Sequence, residues 1–219
     1  MKRWGRLLPG AFWEIIPISG CLLFSLLYVA ATWLYPGGNY LNRAERGFSW
    51  SQNYWCNLLS ETALNGQANT ARPVAFAAMA ILAPTLIFFW YQFPRMGKLG
   101  KPWIYITQGS GVAAMGMGVL VFTRFHDAVL NIAGAFGLLA LAGTLWTLRK
   151  LGWNNLFFLG IFIIVLIGLN NLFYYRSDLI CFLPVVQKIT FLFFLLWISL
   201  INLRWLRVLK DQRAHETQM

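Results

Sequence analysis

Six stretches of apolar residues, each long enough to cross a bilayer as a helix, dominate this chain: Ala11 to Tyr35, Pro73 to Phe93, Trp103 to Thr123, Ala128 to Leu148, Asn154 to Tyr174 and Phe182 to Trp205. About 20 such residues span roughly 30 Å of hydrocarbon. Within lipid every backbone N–H must find its acceptor inside the segment or around a closed barrel. Runs such as Phe157 to Leu169 are apolar throughout and lack the alternation of a barrel strand. The expected fold class is therefore all-α, a polytopic membrane protein with six transmembrane helices in a single domain, residues 1–219. With 58% hydrophobic and only 11% charged residues, the chain is too apolar to cover itself with a soluble surface.

The formal charge of +11 raises the question of nucleic acid, but its placement answers otherwise. Lys2, Arg3 and Arg6 precede the first stretch; Arg95, Lys98 and Lys101 join the second to the third; Arg149 and Lys150 join the fourth to the fifth; Arg204, Arg207, Lys210 and Arg213 close the chain. These alternate segments hold 12 of the 18 basic residues, the opposite side holds Arg43, Arg46, Arg72, Arg124 and Arg176, and Lys188 falls inside the sixth stretch. Positive loops stay in the cytoplasm, so the expected location is the inner (plasma) membrane, multi-pass, with both termini cytoplasmic. Membrane lipids are the expected partners, and nucleic acid is not. Two processing signals fit poorly. Cleavage after Val29-Ala30-Ala31, or a lipobox ending at Cys21, meets an apolar continuation where a tether should be polar.

Between the first two stretches lie Pro36 to Arg72, longer than most loops and so expected to be structured. Pro36-Gly37-Gly38-Asn39 forms a turn. Tyr54, Trp55, Leu58, Leu59 and Thr62 recur at helical spacing, opposite Asn53, Asn57, Ser60, Glu61 and Asn65. An amphipathic segment is expected here, outside the membrane between helices 1 and 2, with Ser51 as N-cap and Gly66 as its stop. In the third and fourth stretches Gly109, Ala113 and Gly116, and Ala133, Gly137 and Leu141, form small-residue faces suited to close packing.

Polar residues gather at the outer ends of the stretches. Lys188 lies one turn past Pro184, where an ammonium must snorkel outward, pair with Glu61, Asp127 or Asp178, or serve a ligand. Asp127 suits the N-terminus of the fourth helix, and Asn131 lies one turn on along the same face. His126 is a proton carrier by chemistry and a polar-belt residue by position. Asn170 and Asn171 point about 100° apart on a helix, so one of them faces the bundle. The expected ligand-binding set is Glu61, His126, Asp127, Asn131, Asn171 and Lys188. Cys56 and Cys181 share the oxidising side and form either a disulfide or two thiols. No metal-ligand spacing, nucleotide loop or nucleophile motif occurs, and neither a metal nor a cofactor is expected.

Tyr35-Pro36-Gly37, Cys56-Asn57-Leu58-Leu59, Leu64-Asn65-Gly66, Arg72-Pro73 and the position of His126 are similar to the pattern of an uncharacterised family of six-span bacterial and archaeal membrane proteins, itself distantly similar in layout to the Frag/DRAM membrane proteins. Cys56-Asn57 stands where that family has an aspartate after a serine. The resemblance implies a six-span layout and no particular reaction. The function expected from the residues is the binding or handling of a lipid-like or amphipathic molecule in a cavity open to the outer leaflet. The alternatives are an outer-leaflet hydrolase or transferase with His126 as base, and a small transporter. Whether the protein is an enzyme stays open at this point.

Overall fold

The apolar stretches form helices whose ends are set by proline and glycine. A computed structural model of the chain describes residues 12–97, 99–118 and 126–217, without the side chains at 12–14, 126, 127, 130, 213, 216 and 217. Among the described residues the helices are α1 Phe12–Leu34, α2 Arg72–Gln92, α3 Lys101–Gly118, α4 His126–Lys150, α5 Asn154–Tyr175 and α6 Leu183–Thr217. Pro73, Pro102 and Pro184 each take the second position of their helix, where the missing N–H has no intrahelical partner to lose. Gly152, at φ +71, ends α4; Trp153 N–H returns to the Leu148 carbonyl at 3.0 Å and Gly152 N–H to Arg149 at 3.2 Å. Only a residue tolerant of positive φ closes a helix this way. No strand occurs among the described residues.

Among the described residues five segments are long and apolar enough to cross a membrane: Ile15–Leu34, Arg72–Gly97, Asn131–Lys150, Asn154–Tyr175 and Ile180–Gln212. The described part of α3 is 18 residues and carries Thr107, Gln108 and Ser110. The outward faces are as apolar as the interior, with Leu22, Leu26, Trp103, Tyr105, Phe158, Val165 and Leu192 all exposed. Water does not tolerate so continuous an apolar surface.

Each helix packs against its neighbours in the chain, and α6 closes the circle on α1. The result is a ring. Its two halves differ. Where α2 ends, the Phe93 ring lies 6.2 Å from both Trp153 and Trp205, and Phe89, Leu148, Trp197, Ile198 and Ile201 are fully buried beside it. This half is solid. Buried hydroxyls and amides there are satisfied within their own helices, as Thr144 on Ala140 (2.8 Å) and Asn202 on Ile198 (2.7 Å). The Trp197 indole donates to the Leu156 carbonyl at 2.7 Å.

α3 and α4 form the most extensive helix pair, as the small residues suggest, but not through the glycines expected. A Cβ added to Gly109, Gly116 or Gly137 would meet nothing within 4 Å. The close approach is made at Gly143, whose added Cβ would stand 1.9 Å from Thr107 Oγ1. Gly20 plays the same part against Thr85 where α1 crosses α2, and Gly111 against Trp90 where α2 meets α3. Spacing identified small faces; it did not reveal which of them touches a partner.

The stretch expected as an amphipathic helix is not one. Within Pro36–Arg72 only Trp55–Leu59 turns, as a five-residue 3-10 helix. The physical reason is asparagine, whose side chain competes with the helical backbone for its own hydrogen bonds. Asn39 Oδ1 accepts from the Leu41 and Asn42 N–H groups (2.9 and 2.7 Å) and its amide donates to the Glu45 carboxylate. Asn53 Oδ1 accepts from Ser49 N–H (2.8 Å), and Asn53 Nδ2 donates to the Gly38 carbonyl (2.8 Å). Asn57 Oδ1 accepts from Tyr54 N–H (2.7 Å), and Asn69 Nδ2 donates to the carbonyls of Asn57, Leu58 and Ser60 (2.9, 3.2 and 2.9 Å). All four asparagines are buried. Asn53 and Asn57, read from sequence as a solvent face, are the inside of a compact cap. Gly38 makes the cap possible, because at φ +84 its added Cβ would lie 2.4 Å from Asn65 N.

Candidate functional site

Lys188, on the second turn of α6, is a basic side chain that the sequence places well inside an apolar stretch, and the cap is built onto it. Its Nζ donates to the Asn53 carbonyl at 2.5 Å and to the Pro184 carbonyl at 2.8 Å. The ammonium lies 5.4 Å from the Phe48 ring centre and 5.6 Å from that of Trp55, so two aromatic faces supply the remaining electrostatic comfort. Beside it Gln187 Oε1 accepts from Trp55 N–H at 3.0 Å. Tyr28 of α1 donates to the Trp55 carbonyl at 3.3 Å and meets its ring edge-on at 4.8 Å. Thus α1 and α6 hold the cap through one 3-10 turn.

Of the other residues expected to share a site with Lys188, those whose side chains are described stand apart from it. Glu61 is exposed and pairs with Arg72 at 3.1 Å. Asp178 pairs with its neighbour Arg176 at 2.9 Å, which holds its carboxyl below the usual range. Both members of that pair are exposed, so solvent screens it. Asn131 is exposed on α4, and Asn171 is exposed on α5 with its amide turned back to the Ile167 carbonyl at 3.1 Å. His126 and Asp127 open α4, and their side chains lie outside the described residues. Asn170, not Asn171, faces the bundle, where its amide donates to Thr190 Oγ1 on α6 at 2.6 Å. Cys56 and Cys181 are free, exposed thiols. Both lie near the Tyr54 phenol, which burial pushes above its ordinary pKa. A first prediction follows from the exposed pairs: Glu61→Gln and Asp178→Asn leave the melting temperature of the purified protein unchanged within error, because solvated ion pairs contribute little.

Two cavities lie on either side of Phe191. The larger, about 580 Å³, occupies the half of the ring nearer the cap and is walled by α2, α3, α4, α5 and α6. Ala80, Ala83, Gly118, Ala133, Gly134 and Gly137 make it roomy, and of the two small faces read from sequence as packing surfaces, that of Ala133, Gly137 and Leu141 opens onto it. Thr190 supplies the only hydroxyl among its described walls, and that hydroxyl already donates to the Val186 carbonyl (2.7 Å) and accepts from Asn170. Trp90 closes the end toward the solid half, and its indole N–H is buried with no acceptor. The smaller cavity, about 240 Å³, lies between α1, α6 and the cap. Lys188 and Trp55 belong to its wall. Sequence reasoning found Lys188 from its depth in an apolar run. It missed Phe48, Trp50, Trp55 and Asn53, because nothing in local spacing says that an aromatic loop folds back over that lysine.

No protein-family model matches the chain, and neither a curated protein nor a solved structure does.

Proposed function

We propose that this chain is a six-span protein of the inner (plasma) membrane, with both termini cytoplasmic and the cap on the outer face, that binds a lipid-like or amphipathic molecule with its apolar chain in the larger cavity. The similarity to an uncharacterised six-span family, itself distantly similar in layout to the Frag/DRAM membrane proteins, belongs to the same proposal. The carrying observation is the cavity itself: about 580 Å³ with an almost wholly apolar wall. That volume falls within the roughly 300–1,000 Å³ typical of small-molecule sites. Dry apolar space of this size takes apolar ligands, and in a bilayer the abundant ones are acyl chains. The basic ends of α2, α4 and α6, at Arg95, Arg149, Lys150, Arg204 and Arg207, lie at the end of the ring opposite the cap, which supports the orientation. Binding is the preferred reading because the described walls of the cavity are apolar and suit a hydrocarbon chain.

The test fills the cavity. At Gly137 an added Cβ meets nothing within 4 Å and the residue lies in the cavity wall, so Gly137→Phe directs a ring into the cavity. Purified from membranes in a mild maltoside detergent and examined by native mass spectrometry, the wild-type protein is expected to carry a bound lipid-sized adduct that Gly137→Phe reduces at least tenfold. The variant's melting temperature should hold or rise, since the substitution replaces void by contact. Equal adduct occupancy in the two proteins, or none in either, refutes chain binding at this cavity.

A further inference from the structure

We propose that the smaller cavity, under the cap between α1 and α6, is an anion site that takes the phosphate or carboxylate head of the amphipathic molecule. The inference rests on the lipid-binding reading above and adds to it the chemistry of the ligand's polar end. Four observations meet in one place. The Lys188 ammonium is partly buried and has no ion-pair partner among the described residues. Of its three donors, two are committed to the Asn53 and Pro184 carbonyls and one is free. The Trp55 indole N–H, in the wall of the same cavity, is buried without an acceptor. The remaining hydroxyls of the wall are spent, Ser25 on the Cys21 carbonyl at 2.8 Å and Tyr28 on the Trp55 carbonyl.

The space therefore offers a positive charge and N–H donors, and no carboxylate among its described walls. Burying a charge is costly unless it is paired, and carbonyls with aromatic faces only partly offset that cost. An anionic oxygen group repairs both defects, accepting from Lys188 Nζ and from the indole in charge-assisted hydrogen bonds. A neutral hydroxyl supplies an acceptor but no charge. A cation is repelled. The volume, about 240 Å³, suits a head group with its first few carbons, and Phe191 is common to the walls of both cavities, so head and chain sites are neighbours.

Three probes separate the possibilities: dodecyl phosphate, dodecanol and inorganic phosphate, each titrated into the full-length protein in maltoside micelles with bound probe counted by native mass spectrometry. Dodecyl phosphate is expected to bind at least tenfold more tightly than dodecanol, and inorganic phosphate to displace it only weakly. Lys188→Met should erase the preference while dodecanol binding persists. Because that change also frees the Asn53 carbonyl and loosens the cap, Trp55→Phe provides a milder arm. It keeps an aromatic ring beside the ammonium and removes the N–H together with part of the indole's packing surface, and it should weaken dodecyl phosphate about threefold while leaving dodecanol binding near wild type. Equal affinity for dodecyl phosphate and dodecanol in the wild type overturns the anion site. If Gly137→Phe still abolishes both, chain binding stands alone. Displacement by inorganic phosphate at concentrations matching dodecyl phosphate overturns the lipid-head assignment in favour of a free anion. Failure of both dodecyl probes to bind refutes the head site and the chain cavity together.

Discussion

Asn69→Ala unties the cap and is expected to lower the melting temperature by about 6–12 °C, if roughly 3 kcal/mol is lost and each kcal/mol is worth about 2–4 °C in a chain of this size. One side chain here serves four backbone groups: its amide donates to Asn57, Leu58 and Ser60, and its oxygen accepts from Ala71 N–H at 3.1 Å. Alanine leaves those groups without partners in a place where Leu58 and Ala71 are fully buried and water enters only if the cap opens. A buried unsatisfied group costs about 1–3 kcal/mol, so several together outweigh any single surface contact. The same variant should expose the segment to a protease applied from the cap side, cleaving between Asn39 and Asn69 at rates the wild type resists. Asn65→Ala is the matching control. Asn65 Oδ1 accepts only the exposed Gln67 N–H at 3.1 Å, and its loss should leave both melting and proteolysis near wild type. A normal melting temperature for Asn69→Ala would mean that the cap is held by its aromatic contacts and not by its asparagines.

Gly143→Leu is expected to separate α3 from α4 and to leave little folded protein in the membrane fraction. In lipid, helices gain nothing from hiding apolar surface from water, so their association depends on close contact and small side chains. Even a methyl group at position 143 would lie 1.9 Å from Thr107 Oγ1 and 2.7 Å from its Cγ2, and Thr107 is fully buried, with its hydroxyl bonded to the Trp103 carbonyl at 2.8 Å. The helices must move apart or the side chain must leave its rotamer, and overpacking of this kind costs about 1–3 kcal/mol even where a core can adjust. Gly143→Ala should already be destabilising, and Thr107→Ala combined with it should recover at least half the loss, because the atoms that clash hardest belong to the threonine. Additive losses in that double mutant would show that the two positions do not touch. At Gly109 and Gly116 the same alanine substitution should be tolerated, since their added Cβ atoms meet open space.

That contrast shows how far the amino-acid order reaches. Helix positions were legible because an apolar run of about 20 residues has few alternatives in lipid, and Pro73, Pro102, Pro184 and Gly152 mark their own helix ends by local geometry. The pairing of α3 with α4 was legible from small-residue content. Which glycine makes the contact was not, because 3.6-residue periodicity describes faces of one helix and says nothing about the rotation of the next. For the same reason Ala133 and Gly137, which look like packing residues, instead open onto a cavity.

The site divides along the same line. Lys188 announced itself through the cost of an ammonium in an apolar run, a property of the chain alone. Its surroundings belong to the fold. Carboxylates at Glu61 and Asp178 looked available on the right side, yet each is satisfied by a nearby arginine, while carbonyls and aromatic rings from residues 48–55 reach Lys188 across more than 130 positions. The cap misled for a local reason: four asparagines turned a helical-looking pattern into a network of side-chain to backbone bonds. Sequence by itself determined the helices, the apolar exterior and the presence of a lysine in need of partners, because these follow from the transfer of single residues between water and hydrocarbon. Tertiary structure alone decided the partners and the hollow, because both depend on which side chains from distant segments arrive at one point and which leave space behind.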